Sequence, residues 1–356
     1  MQNKKVVMAL VLLGLSAGTQ AEEWVNTPVQ KTFKNWQVTC NNLNDCEVRN
    51  TDEVLRIIIK RKAGAESQPS LNFQQWGDQK PTGIWLDGKP WHSNIEISPS
   101  KISDDYSAGG SEKLADVQQW VQATKNAMTI ALTPGTPDSE AASLGGLNAA
   151  LLLVDERQGR LGNQTALLKV GNNEPSMVPA RPAPAVFNFQ VPKVVPLTNE
   201  AALIDGAIAA NSKLLAKESC EPDKEARERS EAQPLNDKQA LVLVNCGLGA
   251  YQSSSMLFIS ERNNPQDSKQ LTLPLPGNDE DGKPRVMSWF TEATYDPQTG
   301  ELYYSGRGRG IADCGDNGGW KYDGKTFHLT HYNNQQSCNG GEPGDWPSVW
   351  ATAGTE

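Results

Sequence analysis

The chain has 356 residues, 42 acidic against 33 basic, and a formal charge of -9. Such an acidic surface repels phosphate backbones and anionic bilayers, which disfavours nucleic acid and membrane surfaces as partners. At about 100–200 residues per domain the length suggests two domains, and 37 % hydrophobic content describes a lean, polar globular protein.

Residues Met1 to Ala21 read as a secretory leader. Lys4 and Lys5 precede the apolar run Val6 to Leu15, and Thr19-Gln20-Ala21 offers small residues for cleavage. The run is shorter than the roughly 20 apolar residues a membrane span needs. The residue directly after the cut is Glu22, not cysteine, which argues against a lipid anchor. The mature chain then starts near Glu22, with 335 residues, a charge of -11 and no second apolar run long enough to span a bilayer. The expected location is the periplasm, with release from the cell as the extension of that reading.

Phe33 to Arg61 reads as strand, turn, strand, and Val54 to Ile59 is β-branched and apolar, as a buried strand should be. Ile84-Trp85-Leu86 enters a tight turn at Asp87-Gly88, and Ile95-Glu96-Ile97 alternates with period two. Ser111 suits a helix N-cap, and Leu114, Val117, Val121 and Met128 follow at helical spacing, predicting a helix near 112–128. Ala149 to Val154 fits either a strand or a buried helix. These elements make residues 22–173 a β-rich N-terminal domain.

Six prolines between Pro175 and Pro196 mark residues 174–196 as a linker, with Phe187 and Phe189 set to pack onto a domain. Residues 197–356 form the second domain. Leu197 to Lys217 predicts one helix, and Glu221 to Glu231 a solvated helix or loop. Strands follow at Leu241 to Val244, Met256 to Ile259, Leu271 to Leu273, Leu302 to Tyr304 and Phe327 to Leu329. The fold class is therefore α+β and β-rich: two antiparallel, β-sandwich-like units with a few helices.

Six cysteines in an exported chain point to disulfides. They allow 15 connectivities. Proximity in sequence favours Cys40–Cys46, Cys220–Cys246 and Cys314–Cys338.

Several stretches together resemble a known family. They are Trp36-Gln37-Val38-Thr39-Cys40 with Cys46, Leu144 to Leu152, Cys246-Gly247 with Gly249-Ala250-Tyr251, and Gly306-Arg307-Gly308 with Asp313-Cys314-Gly315. Trp320 to Gly324 with Phe327, Cys338 and Trp346-Pro347 complete the set. The sequence is similar to domain of unknown function 1176, a family of exported bacterial proteins. That resemblance implies fold and location but no reaction. The first half also resembles the invasion-associated locus B proteins, which leaves a host-facing role open by analogy of fold.

Local motifs for chemistry are sparse. Gly14-Leu15-Ser16-Ala17-Gly18 fits a nucleophile elbow but lies in the leader. The chain holds no H-E-x-x-H, no phosphate-binding loop and no C-x-x-C. Its three histidines are His92, His328 and His331; on a strand the last two would point to opposite faces. The oxygen-rich stretches Asn278 to Gly282 and Asp313 to Asn317 lack the spacing of a calcium loop and read as solvated turns. Asn163-Gln164-Thr165 fits a glycosylation sequon in isolation. No catalytic residue, metal site or cofactor is expected.

The best candidate site is Gly306-Arg307-Gly308-Arg309-Gly310 beside Asp313. Guanidinium forks on a glycine-freed backbone suit carboxylate or phosphate recognition. The competing reading is structural, with the arginines paired to Asp313 or Asp316. Among ten tryptophans, Trp36, Trp85 and Trp120 sit in apolar contexts; Trp76, Trp91, Trp320, Trp346 and Trp350 sit among small and polar residues and suit a contact surface. The candidate binding residues are thus Arg307, Arg309, Asp313, Trp320 and Trp346. The leading function is an exported, non-enzymatic protein that binds an envelope or host macromolecule. The alternative is a periplasmic hydrolase acting on an envelope glycan or peptide.

Overall fold

The computed structural model describes residues 27–355 except 53, 78, 103–104, 280 and 340–342. The leader, its cleavage point and the elbow-like motif lie outside the described residues.

Period-two alternation builds the first sheet. Strands β1 (Val29–Phe33), β2 (Trp36–Cys40), β3 (Cys46–Asn50), β4 (Leu55–Arg61) and β5 (Pro69–Trp76) are successive antiparallel neighbours. After a hairpin of β6 (Ile84–Leu86) and β7 (Lys89–Trp91), β8 (Glu96–Ile102) and β9 (Asp105–Ser111) complete the order β1-β2-β3-β4-β5-β9-β8. Asp87 and Gly88 turn that hairpin with φ of 49° and 73°, as a two-residue type I′ turn requires. β10 (Thr129–Ala131) and β11 (Ala142–Ser143) extend the hairpin into a four-stranded sheet. Val38, Val48, Ile59 and Leu71 face one another across β2 to β5. Helices α1 (Leu114–Thr124) and α2 (Leu147–Arg157) bury that face with Val117, Trp120, Leu151 and Val154.

Two local expectations change here. Ser111 is not the N-cap of α1; Lys113 is. Ser111 ends β9, and its hydroxyl accepts the Lys113 N–H at 3.2 Å and donates to Asp116 at 2.8 Å. The helix also stops at Thr124, whose hydroxyl folds back onto the Trp120 and Val121 carbonyls, leaving Met128 beyond it and exposed.

Residues 174–196 contain one 3-10 turn, Pro175–Met177, and otherwise no regular element, and they touch both halves of the molecule. Arg181 pairs with Asp45 at 2.7 Å, and Phe187 lies 5.1 Å from the ring of His328. Beyond them, the expected helix over 197–217 is two: α3 (Glu200–Ala210) and α4 (Ser212–Lys217). Asn211 separates them, its amide donating to the Ala207 carbonyl at 2.9 Å. The charged segment holds the short α5 (Lys224–Glu228), capped by Asp223.

Strands β12 (Glu231–Pro234), β13 (Gln239–Leu248), β14 (Ser253–Glu261) and β15 (Asn264–Gln270) form one sheet of the second half. A hairpin of β16 (Leu273–Asn278) and β17 (Pro284–Met287) follows, then β18 (Phe290–Thr291), which joins β14. The second sheet runs in order: β19 (Thr294–Asp296), β20 (Glu301–Arg307), β21 (Gly315–Tyr322), β22 (Phe327–Gln335) and β23 (Ser348–Ala351). Leu241 and Leu243 face this sheet, packing with Leu302, Trp320 and Tyr332. Val242 and Val244 face α3, packing with Leu203 and Ala207. Burial on both faces explains the unbroken apolar run of β13.

The other face of the first sheet is polar and nonetheless buried. Gln37, Thr39, Glu47, Arg49 and Arg56 alternate with the core residues, and Gln335, Asn339 and Asp345 reach over this face. Asn42 exchanges two 2.9 Å bonds with the main chain of Ala351. Asn339 donates to the Asn50 carbonyl at 2.7 Å, and Arg49 to the Asp345 carbonyl at 2.9 Å. Arg49 also pairs with Glu47. Disulfides Cys40–Cys46, Cys220–Cys246 and Cys314–Cys338 tie β2 to β3, the α4–α5 connection to β13, and the start of β21 to the segment after β22.

Candidate functional site

Two loops leave the second half beside disulfides. β13 reaches Cys246, bulges between Asn245 and Gly247, and gives way to residues 249–252 before β14. β20 ends at Arg307, and residues 308–314 return the chain to β21 at the bridged Cys314. The loops are bonded to each other. Gln252 accepts the Arg307 N–H at 2.9 Å and donates to the Arg307 carbonyl at 3.2 Å. The Arg307 side chain donates to the Tyr251 carbonyl, and its guanidinium lies 5.3 Å above the Tyr251 ring.

Arg309 serves a different purpose. Its Nε and Nη2 grip Asp313 at 2.7 and 2.6 Å, a bidentate fork on a fully buried carboxylate. Beneath the loop the Trp346 indole donates to the Ala312 carbonyl at 3.1 Å. Asp313 lies near both sulfurs of Cys314 and Cys338, but these are spent in a disulfide and offer no thiolate to a metal. Asp316 takes no arginine of this loop. It accepts from Tyr304 at 2.8 Å and Tyr332 at 3.2 Å, and burial raises its pKa.

The structure therefore brings Arg307, Arg309 and Asp313 together at one tip, with Trp346 buried as its support. Trp320 is elsewhere, fully buried between the sheets against Phe290 and Tyr304. Its neighbours Gly318 and Gly319 are not loop residues: they make room within β21, where a Cβ would lie 3.0 Å from Tyr304 and 2.4 Å from His331. Trp346 and Trp350 are likewise buried, while Trp85 is only half-buried at the surface hairpin.

Other candidates are engaged too. A bulge in β22 sets Gly319 opposite His331 and Lys321 opposite His328. Both histidines thus share the outer face, contrary to simple alternation, because Thr330 is the extra residue. They have separate partners: His328 bonds Asp323 at 2.9 Å, and His331 stacks with Tyr303 at 6.2 Å. Asp279 accepts the N–H groups of Asp281 and Lys283, a closed turn. Asn163 is buried and donates to the Glu174 carbonyl, so its amide is closed to glycosylation.

Sequence reasoning missed Leu248, Tyr251 and Ile311. These apolar side chains stand 60 %, 42 % and 59 % exposed on the same two loops. The available signal was their position: Leu248, Ile311 and Tyr251 lie two, three and five residues from a half-cystine, the first two beside glycine.

The family model described as protein of unknown function, DUF1176, matches residues 30–353. The chain belongs to that family. Its relative in Escherichia coli (strain K12), the uncharacterized protein YpfG, is 33 % identical over 344 residues, covering 91 % of this chain and 93 % of that protein. No solved structure matches. Three disulfides and, among the described residues, no helix long and apolar enough to cross a membrane fit a periplasmic or extracellular DUF1176 protein.

Proposed function

We propose that this DUF1176 protein is exported and binds an envelope or host protein through the two-loop tip, by contact rather than turnover. One observation carries the reading: Arg307 lies on Tyr251, on loops rooted in two disulfides, with Leu248 and Ile311 held out in water. Arginine and tyrosine are, with tryptophan, the residue types enriched among binding hot spots. Exposed apolar side chains gathered on one surface also mark contact sites. Tethering both loops in advance lowers the ordering cost that association must otherwise meet.

In-cell crosslinking of the tagged, oxidised mature protein tests this, with the Tyr251→Ala/Arg307→Ala variant as comparison. The expected result is one reproducible protein partner captured by the wild type and lost from the variant, with melting unchanged. Equal capture by both removes the tip from the reading. Capture of no protein at all overturns it and directs the search to glycans and hydrolase substrates.

A further inference from the structure

A second surface lies on the opposite character of chemistry, along the outer face of β20 to β22. There the linker crosses the face of the sheet without pairing to it. Residues 186–191 alternate exposed and half-buried, with Phe187, Phe189 and Val191 turned to the sheet. Phe187 and Phe189 pack on His328 at 5.1 and 6.0 Å, Lys321 sits 5.4 Å over Phe189, and Val191 reaches Gly300. Yet among the described residues the main chain of 186–195 makes no hydrogen bond to protein; the last anchor is Ala353 donating to the Ala185 carbonyl at 2.9 Å. An extended segment whose side chains alternate up and down directs its free N–H and C=O groups sideways, as the edge of a sheet does.

Beside this edge is a groove of about 390 Å³ bounded by the linker, the sheet and residues 352–355. Tyr303 and His331 form its floor, their rings 27° from parallel across Gly319. Only glycine allows this, since a Cβ at 319 would lie 2.4 Å from the imidazole. Tyr303 is 40 % exposed and Val186 74 %. Burial lowers the His331 pKa against the opposing pull of Glu301, which favours the neutral ring. Glu301 and Lys321 face each other at 3.5 Å, so the charges that border the groove offset one another.

We infer that this groove takes an extended polypeptide segment, which pairs its main chain with residues 186–190 and lays alternate apolar side chains on Tyr303 and His331. Strand addition of this kind draws affinity from main-chain bonds and specificity from alternate side-chain pockets. The linker supplies the intramolecular precedent, since a chain with aromatic residues two apart already occupies the same face. The site is separate from the loop tip.

Phage-displayed random dodecapeptides selected on the oxidised mature protein test the inference, with Tyr303→Ala/His331→Ala as counter-target after its melting is confirmed. The expected peptides carry apolar or aromatic residues at alternate positions. They bind the double variant at least tenfold more weakly, lose at least tenfold when N-methylated at alternate amides, and bind Tyr251→Ala/Arg307→Ala normally. Failure to enrich any peptide that distinguishes wild type from the groove variant overturns the proposal. Indifference to N-methylation overturns the strand-pairing. A chito-oligosaccharide that shifts the groove resonances where no peptide does replaces it with saccharide binding.

Discussion

Arg56, with no solvent exposure, aims Nη1 at the carboxylate of Asp345 across 3.6 Å and across the junction of the two halves. Burial, then repulsion from Arg49, lowers the Arg56 pKa to about 10, and Asp345 is the first carboxylate acting against that shift. The two sides of this pair are unequal, because Asp345 is one-third exposed.

Asp345→Asn should therefore cost more stability than Arg56→Met. The first strands a buried cation, a loss of about 1–3 kcal/mol once the usual buried-pair range is discounted for water at Asp345. The second leaves a carboxylate that water can reach and fills the volume with an apolar chain. Urea unfolding of both variants checks the order; the reverse order would mean that Asp345 holds nothing in place.

The disulfides should rank by the length of chain they close. Cys220–Cys246 and Cys314–Cys338 span 26 and 24 residues, for ~3.5 kcal/mol each by loop-closure entropy, against ~2 kcal/mol for Cys40–Cys46, which spans 6. Paired Cys→Ser variants measured by thermal melting test the ranking. Loss of either long bridge should also weaken partner capture, whereas loss of Cys40–Cys46 should leave capture intact.

Acid sensitivity should centre on Asp323. Burial pushes its pKa up, but N–H groups of Thr326 and Lys325 and the His328 ring outweigh this and hold it at about 2. The folded carboxyl thus stays ionised below the roughly 3.9 of an unfolded aspartate. A depressed folded pKa gives stability that is full above about pH 4 and is lost as pH falls through about 2. Melting followed from pH 6 to pH 2 should fall more steeply for the wild type than for Asp323→Asn, and the curves should converge at the acid end. Parallel curves would show that the turn does not sense Asp323 ionisation.

The strands were the legible part of the sequence. Leu241 to Val244 reads as buried because both its faces are apolar, and the Asp87-Gly88 turn announces its own backbone conformation. Local signals misled where a neighbour took over. Ser111 has the chemistry of a cap, but strand pairing with Leu71 holds it in β9. His331 departs from period two because of one extra residue in β22, and no local pattern marks that bulge. Trp320 sits among glycines that looked like loop and are packing space. Within β3 and β4, alternation separates Glu47, Arg49 and Arg56 from Val48 and Ile57, but it cannot say that the polar side is sealed by residues nearly 300 positions away. The same holds at the tip: Arg307, Arg309 and Asp313 stood out by composition, whereas Tyr251 joins them only through the meeting of two sheets.

Cys246 and Cys314 stand at the roots of the two loops that carry Tyr251 and Arg307. On the proposed reading, this would tie contact to geography. With those thiols reduced, each loop would lose its covalent root, and Arg307 would be held on Tyr251 by weaker bonds alone. The crossing of a membrane would then act as the licence to bind, and a precursor still in the cytoplasm would be a poor match for its own partner.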